Sequence, residues 1–204
     1  MKRVDERTVE DLIALSHFLG GFDQVKRATL LPDGSYESDS HHSFSLALIA
    51  YELASQYAPE LDKQKLLVYA LVHDLAELIT GDVNTLASTP EELEVKRQND
   101  IVATKQIIDQ LIYAPHIADA LKAYEEKADP ESLFIYWVDK IVTLPTHFHD
   151  NGTNLRNLGV TTKQQALDWY NRVYAKLSQE KELAHGSVVE LLRLAHKKIR
   201  DELL

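Results

Sequence analysis

The sequence predicts an all-α protein, and two observations support that prediction. Apolar residues recur at helical spacing along almost the whole chain, whereas no segment shows convincing two-residue alternation. Two segments, residues 42–56 and 65–79, are apolar almost all round, which is typical of helices at the centre of a core. We therefore expect a compact helical bundle built around these two segments.

The N-terminal part of the chain is expected to hold one helix and one loop. The segment "TVEDLIALSHFL", residues 8–19, is amphipathic and predicts the first helix. A short segment at residues 22–28 follows it. The next stretch, "LLPDGSYESDS" at residues 30–40, contains Pro, Gly and Ser, and this composition predicts a loop. The two central helices come after it.

Capping chemistry predicts where three later helices begin. A Thr or Asp side chain can accept a hydrogen bond from a free N–H at a helix start, and proline is favoured at the first helical position. The expected N-caps and their supporting residues are Thr89 with Pro90 and Glu92, Asp129 with Pro130, and Thr161 with Gln164. The last helix, residues 187–204, is amphipathic and is expected to pack on the body of the protein or on another subunit.

Composition limits the kind of protein this is. The 204 residues, of which 45% are hydrophobic, suit a single domain over residues 1–204. The chain has no cysteine, which excludes disulfides and thiolate metal sites. Its formal net charge of -10 argues against binding to nucleic acid, and its longest apolar run, "LLVYALV", is too short for a membrane span. The N-terminus lacks the apolar core of a signal peptide, so we expect a cytoplasmic protein.

Several ionisable residues interrupt the most apolar segments. A buried carboxylate is costly unless a cation pairs with it. One divalent cation would account for all of these residues, since imidazole and carboxylate groups are common metal ligands. The alternative is that they are unrelated polar residues. The predicted ligands are His42, His73 and Asp74 in "ALVHDLAELITGD", and Asp139 in "SLFIYWVDKIVTL".

Two further acids lie close to the predicted ligands. Glu77 follows His73 by four residues, so both side chains are expected on one helix face. Asp82 comes after Gly81, where the helix is expected to end. Glu77 and Asp82 are candidates to orient an attacking water and to protonate a departing oxygen, and the sequence leaves open which does which. The alternatives are a solvated carboxylate for Glu77 and a turn residue for Asp82.

The order of these residues resembles a known family. His42, the "HD" pair at residues 73–74 and Asp139 resemble the H...HD...D signature of HD-domain metal-dependent phosphohydrolases, an all-helical superfamily. The stretches "ESDSHHS", "ALVHDLAELITGD" and "FIYWVDKI" resemble the branch that includes 5'-deoxyribonucleotidases. The resemblance covers about residues 27–144. It implies an HD-domain helical bundle with additional C-terminal helices, in which the four predicted ligands hold the metal.

The resemblance also implies roles toward the substrate. In that branch an Arg lies upstream of the first His, and Arg27 is at the corresponding place, where it would bind the substrate phosphate unless it is only a surface cation. Glu77 and Asp82 would act on the substrate as well. Two positions depart from the pattern. Where that branch often has an acidic residue before the first ligand, this chain has His41, which we expect to be exposed. Where the deoxynucleotidases have an aromatic residue that crowds the sugar, this chain has Ala28, so the selectivity for the sugar is left open.

The predicted function is metal-dependent hydrolysis of a phosphate ester. The favoured substrate is a (deoxy)nucleoside 5'-monophosphate, with one divalent ion (Mn, Co, Zn, Fe or Mg) as cofactor. Within the family, the alternative is another phosphate ester, namely a nucleoside triphosphate, a cyclic nucleotide or an alarmone. Outside enzymes, the alternative is a helical dimer that binds a metal or a nucleotide without turnover. A homodimer is expected because the last helix has an apolar face.

Other histidines and aromatic residues favour ordinary structural roles. Residues 147–150, in "THFHD", have metal-like spacing but are expected at the surface. Tyr136 and Trp137 are expected to pack in the core rather than to stack on a base. His196 lies on the last amphipathic helix and needs no special role.

Overall fold

The computed structural model describes residues 4–83, 85, 88–179 and 186–204. In that part of the chain helices dominate, which confirms the predicted all-α class, and none of them is long and apolar enough to cross a membrane. The strands are β1 (Lys26–Leu30) and β2 (Tyr36–Ser38), and a single 3₁₀ turn (Leu111–Tyr113) is described. The helices are α1 (Glu6–Phe22), α2 (Asp39–Tyr57), α3 (Lys63–Val72), α4 (Glu77–Thr80), α5 (Pro90–Gln110), α6 (Pro115–Glu125), α7 (Pro130–Thr146), α8 (Thr153–Asn157), α9 (Lys163–Gln179) and α10 (Gly186–Glu202).

The core lies between α2, α3 and α7. The helix α2 packs along α3, and both contact α7. Apolar side chains from all three helices meet there, and Leu46, Leu66 and Val138 are completely buried. Each such side chain stabilises the fold by about 1.5–3 kcal/mol. A second apolar cluster joins the end of α3 to α5 and α6 through Val72, Ile107 and Leu121.

The region predicted to be a loop contains a short hairpin. The strands β1 and β2 pair in antiparallel fashion, with Lys26 opposite Ser38. Gly34 in the connecting turn has a φ of +83°, which glycine adopts without strain. The prediction of a loop over residues 30–40 is therefore wrong at both ends of this range. Strands this short are missed because they show no clear alternation of apolar and polar residues. The helix α2 also starts earlier than predicted, at Asp39.

Two of the three predicted helix starts are confirmed. Thr89 and Asp129 are N-caps that form capping boxes at α5 and α7. At α9 the reciprocal hydrogen bonds join Thr162 to Gln165, with N···O distances of 3.0 and 3.2 Å. The expected N-cap, Thr161, is wrong by one residue, because two adjacent threonines offer the same capping chemistry.

The second central helix is interrupted at His73. The helix α3 ends at Val72, and the next residues form i→i+3 hydrogen bonds, such as that from the N–H of Glu77 to the carbonyl oxygen of Asp74 at 2.9 Å. The prediction of one continuous helix over residues 65–79 is therefore wrong. Apolar periodicity does not reveal such a change, because a few residues of tighter turn keep nearly the same spacing.

The last helix packs on the body of the protein. The helix α10 lies against α7 and α9 and buries Val188, Leu192 and Ile199. Its apolar face is therefore used within the chain, which removes the reason for expecting a dimer through this helix. Large apolar side chains are exposed on α2 instead, among them Phe44 and Leu48. The homodimer stays a prediction.

Two histidines in the C-terminal half are buried, and one of them, His147, was expected at the surface. His147 is 3% exposed and His196 is 7% exposed, because α10 covers this end of α7. The ring of His196 lies 4.5 Å from that of Trp169 and 4.8 Å from that of Tyr170, between centroids. Burial lowers the pKa of each histidine to about 4. The expected surface location of residues 147–150 is thus wrong for His147.

We expect the protein to lose stability between about pH 6.5 and pH 4 through His147 and His196. In this window each side chain is neutral in the folded state and protonated in the unfolded state. The unfolded chain binds more protons, so the free energy of unfolding falls as the pH falls. The loss at pH 4 is roughly 3 kcal/mol for each residue.

Urea unfolding at pH 7 and at pH 4.5 measures this loss. The variant His147→Gln/His196→Gln should show a shallower pH dependence than the wild type, because the carboxylate contributions are common to both proteins. The same pH dependence in both proteins would contradict the assignment.

Candidate functional site

Three buried side chains converge where α2, α3 and α7 meet. His42 lies on α2, His73 follows the last residue of α3, and Asp139 lies on α7. Each residue is at most 8% exposed. One potential ligand atom from each lies within 4.8 Å of the others. At this separation the three side chains could bind a single ion.

Asp74 adjoins this group. The Nε2 atom of His42 lies 2.9 Å from Oδ1 of Asp139. The Nε2 atom of His73 lies 2.9 Å from Oδ2 of Asp74 and 3.8 Å from Oδ1 of Asp139. All four predicted ligands are therefore contiguous, although Asp74 also belongs to a second group of potential ligands with Asp39 and Glu77.

The environment of His73 favours a positive charge at its Nε2 atom. Its Nδ1 atom lies 2.9 Å from the carbonyl oxygen of Ala70, which can only accept, so Nδ1 carries the hydrogen. The Nε2 atom is buried and has no hydrogen-bond partner among the described residues, yet it faces two carboxylates. Burial lowers the pKa of His73, but Asp74 and Asp139 outweigh that effect and raise it to about 10. A divalent cation at this place would displace the proton and pair with both carboxylates.

Arg27 on β1 joins three carboxylates. Its Nη1 atom lies 3.2 Å from Oδ1 of Asp39 and 2.9 Å from Oδ2 of Asp74, and its Nε atom lies 3.5 Å from Oε2 of Glu37. Glu37 and Asp39 are buried and had no predicted role. Asp39 precedes His42 by three residues and so shares its helix face, a signal that could have identified it. Glu37 gave no such signal because its strand was not predicted.

Glu37 and Asp39 are two further carboxylates next to the predicted metal ligands. The Nδ1 atom of His42 lies 3.8 Å from Oε2 of Glu37, and a carboxylate behind a histidine helps to fix the orientation of the ring. Burial, followed by the charge of Asp74, raises the pKa of Asp39 to about 6. Burial also acts to raise the pKa of Asp74, but His73 and Arg27 lower it below its usual range. Asp74 is therefore held in its ionised form by its neighbours.

Glu77 and Asp82 lie beside these groups, at the start of α4 and just after its end. Glu77 is buried, its Oε2 atom has no hydrogen-bond partner among the described residues, and its Oε1 atom lies 3.4 Å from Nζ of Lys96. Burial, together with Asp74 and Asp82, raises the pKa of Glu77 to about 9. The Oδ2 atom of Asp82 accepts a hydrogen bond from the N–H of Ala28 at 3.1 Å, which ties Asp82 to β1.

Two cavities open onto the candidate ligands. The larger cavity, of about 220 Å³, is lined by His73, Asp74 and Glu77, among others. The smaller cavity, of about 100 Å³, is lined by Ala28 and Trp169, among others. Both are lined by a shared set that includes Arg27, Asp82, Asp139 and Lys140. Of the predicted ligands, Asp139 therefore lies at the junction of the two cavities, and His73 and Asp74 line the larger one.

The structure places all the predicted site residues in or beside one cluster, and the roles assigned to them stay predictions. These residues are Arg27, His42, His73, Asp74, Glu77, Asp82 and Asp139. His41 is exposed, as expected. Trp137 is buried in the core, as predicted, whereas Tyr136 is only half-buried and lines the larger cavity. Tyr136 also packs against the core cluster, so its predicted core packing is confirmed in part.

Comparisons with known proteins agree with the resemblance found in the sequence. A family model described as HD domain matches residues 22–181. The 5'-deoxynucleotidase YfbR of Escherichia coli is 23% identical over 179 residues, which cover 78% of this chain and 90% of that protein. A 5'-deoxynucleotidase of Erwinia tasmaniensis is 22% identical with the same coverage. A crystal structure from Magnetospirillum magnetotacticum, named as a predicted metal-dependent phosphohydrolase, shares the fold with a TM-score of 0.72 at 20% identity, over 97% of this chain and 99% of that one.

Proposed function

Because the chain belongs to the HD domain family, we propose that it is a metal-dependent phosphohydrolase that removes phosphate from (deoxy)nucleoside 5'-monophosphates. The observation that carries this proposal is the convergence of two histidines and two aspartates, three of which line the larger cavity. The names of relatives at 22–23% identity support the class of substrate.

The predicted ligands suit one divalent cation. Two imidazoles and two carboxylates fit Mn, Co, Zn, Fe or Mg, and the Nε2 atom of His73, which faces two carboxylates and has no hydrogen-bond partner among the described residues, fits a bound ion. When bound, the cation would act as a Lewis acid on a phosphate oxygen. The ligands in this proposal are His42, His73, Asp74 and Asp139.

Arg27 would bind the phosphate group of the substrate. Its side chain is 12% exposed and lines both cavities. The Nε and Nη1 atoms face carboxylates, whereas Nη2 donates no hydrogen bond to a described residue. The Nη2 donors are therefore available to a phosphate oxygen. The positive charge also offsets Asp39 and Asp74, which would otherwise repel an anionic substrate.

Glu77 would transfer a proton, and Asp82 would contact the substrate. The Oε2 atom of Glu77 has no partner among the described residues, and the side chain lines the larger cavity, so it can exchange a proton with a water or with a departing oxygen. One oxygen of Asp82 is held by the N–H of Ala28. Asp82 also lines both cavities.

The smaller cavity would receive the nucleoside. Trp169 contributes an aromatic ring to the lining of this cavity, and an aromatic ring can stack on any of the nucleotide bases. Ala28 lines the same cavity, and its methyl side chain leaves space for a sugar with or without a 2'-hydroxyl. Ribonucleotides and deoxyribonucleotides would therefore both be accepted.

A substrate screen tests this proposal. Protein stripped of metal is mixed with nucleoside mono-, di- and triphosphates and with Mn²⁺, Co²⁺, Zn²⁺ or Mg²⁺ in turn, and phosphate and nucleoside are measured. We expect metal-dependent phosphate release from 5'-monophosphates, with rates for the two sugar types within about tenfold of each other.

Two results would contradict the proposal. Hydrolysis of nucleoside triphosphates alone would assign the chain to another HD-type reaction. No hydrolysis with any ion, together with unfolding when the metal is removed, would indicate a binding module with a structural metal.

A further inference from the structure

Three lysine side chains surround the ring of Tyr136 at the edge of the larger cavity. The Nζ atoms of Lys127, Lys140 and Lys176 lie 4.7, 5.1 and 4.9 Å from the ring centroid. Lys176 also donates a hydrogen bond to the hydroxyl oxygen of Tyr136. The lysines come from the segment after α6, from α7 and from α9, so the fold brings them together. We call these four residues the Tyr136 lysine cluster.

The cluster concentrates positive charge in a chain with a net charge of -10. Any two of the Nζ atoms are at most about 10 Å apart, which is comparable with the Debye length of about 8 Å at physiological ionic strength, so salt screens the repulsion between these groups only in part. Lys140 pairs with Oδ2 of Asp139. Among the described residues, no carboxylate oxygen lies within 4.0 Å of the Nζ atoms of Lys127 or Lys176. An anion would relieve the repulsion.

The cluster adjoins the candidate metal ligands. Lys127, Tyr136 and Lys140 line the larger cavity together with His73 and Asp74. The ammonium group of Lys140 links the two regions, because it contacts both the Asp139 carboxylate and the Tyr136 ring. Neither Lys127 nor Tyr136 lines the smaller cavity. An anion at the cluster would therefore lie beside the metal ligands and away from the cavity proposed for the nucleoside.

We propose that the Tyr136 lysine cluster binds a second phosphate group, next to the phosphate held at the predicted metal ligands. The proposal rests on the proposed function for the position of the first phosphate. Ligands with two adjacent phosphate groups are phosphoanhydrides, such as nucleoside 5'-diphosphates and pyrophosphate. Ammonium groups bind phosphate as point charges, and the cluster offers three of them. The site binds these ligands more tightly than ligands with one phosphate group.

Calorimetric titration with pyrophosphate in excess Mg²⁺ tests the proposal without requiring turnover. The variant Lys127→Gln/Lys176→Gln changes two exposed side chains outside the predicted catalytic machinery. Its dissociation constant for pyrophosphate should rise about tenfold or more, whereas that for inorganic phosphate should change less than about twofold. Lys127→Arg/Lys176→Arg should restore tight binding of pyrophosphate. Lys105→Gln, which removes an exposed lysine paired with Asp109, should match the wild type.

Two outcomes would overturn the proposal. One is equal affinity for pyrophosphate in the wild type and in the double glutamine variant. The other is an equal loss of affinity for phosphate and pyrophosphate, which would show a general charge effect. Chelation of Mg²⁺ by pyrophosphate is the same in every sample, so the ratio of the dissociation constants of two variants reports only the contribution of the Tyr136 lysine cluster. A failure of the proposed function can be told apart from a failure of this proposal. The first would appear as a lack of phosphate release by the wild type in the substrate screen, and the second would appear only in the pyrophosphate titration.

Discussion

Replacing Asp74 by asparagine is expected to lower metal-dependent phosphate release by about a thousandfold or more, because it removes one of the four predicted ligands. A cation contributes several kcal/mol of transition-state stabilisation, and each 1.36 kcal/mol corresponds to a factor of about ten in rate. Asparagine keeps the size of the side chain, and its carbonyl oxygen can still accept from Nη1 of Arg27, which lies 2.9 Å from Oδ2 of Asp74. The quantity to measure is kcat/KM for a 5'-monophosphate at saturating Mn²⁺.

Thermal unfolding separates loss of the metal from loss of the fold. A metal ion present at a hundred times its dissociation constant stabilises the folded state by about 2.7 kcal/mol. This stabilisation raises the Tm of a chain of this size by roughly 5 to 10 °C. Asp74→Asn should lose most of this rise. The metal-free variant should have a lower Tm than the metal-free wild type, because it loses the ion pairs of Asp74 with His73 and Arg27, so the quantity to compare is the rise in Tm that metal adds to each protein.

A matched control uses an aspartate far from the site. Asp129 caps α7 and accepts a hydrogen bond from the hydroxyl of Tyr69, and asparagine can replace it as an N-cap. Asp129→Asn should keep both the activity and the metal-induced rise in Tm. If Asp74→Asn keeps both as well, Asp74 is not a ligand.

The predicted ligands could be found from the sequence because their signal is local. A charged residue in an apolar run carries a burial cost that is visible before the fold is known, as for His73, Asp74 and Asp139. The same reasoning succeeds for the N-caps Thr89 and Asp129, whose partners lie within one turn of the chain.

Features that depend on distant packing could not be found in this way. Lys127 and Lys176 reach one tyrosine ring from separate elements, and nothing in their own neighbourhoods indicates it. His147 is buried because α10, from the far end of the chain, covers it. Glu37 lies on a strand of three residues within a segment whose composition predicted a loop. In each case the missing information is a contact between residues far apart in sequence.

Replacing Glu77 by glutamine is expected to lower kcat by about 10²- to 10⁴-fold, since an amide of the same shape cannot exchange a proton at neutral pH. Glu77 is not among the four predicted ligands, so KM and the affinity for the metal should change little. The control is Glu131→Gln. Glu131 is also buried, accepts a hydrogen bond from the N–H of Asp62 at 2.9 Å, and lies about 12 Å along α7 from Asp139. This control should lose stability and keep kcat.

The metal-induced rise in Tm decides between two roles for Glu77. Glu77 forms a group of potential ligands with Asp39 and Asp74, so a direct contact with the metal is the competing explanation for a loss of activity. If Glu77→Gln keeps the full rise in Tm while kcat falls, Glu77 acts on protons at the reacting group rather than on the ion. If the rise in Tm disappears, as is expected for Asp74→Asn, Glu77 is a ligand. Asp82, which lines both cavities, then becomes the remaining candidate for proton transfer.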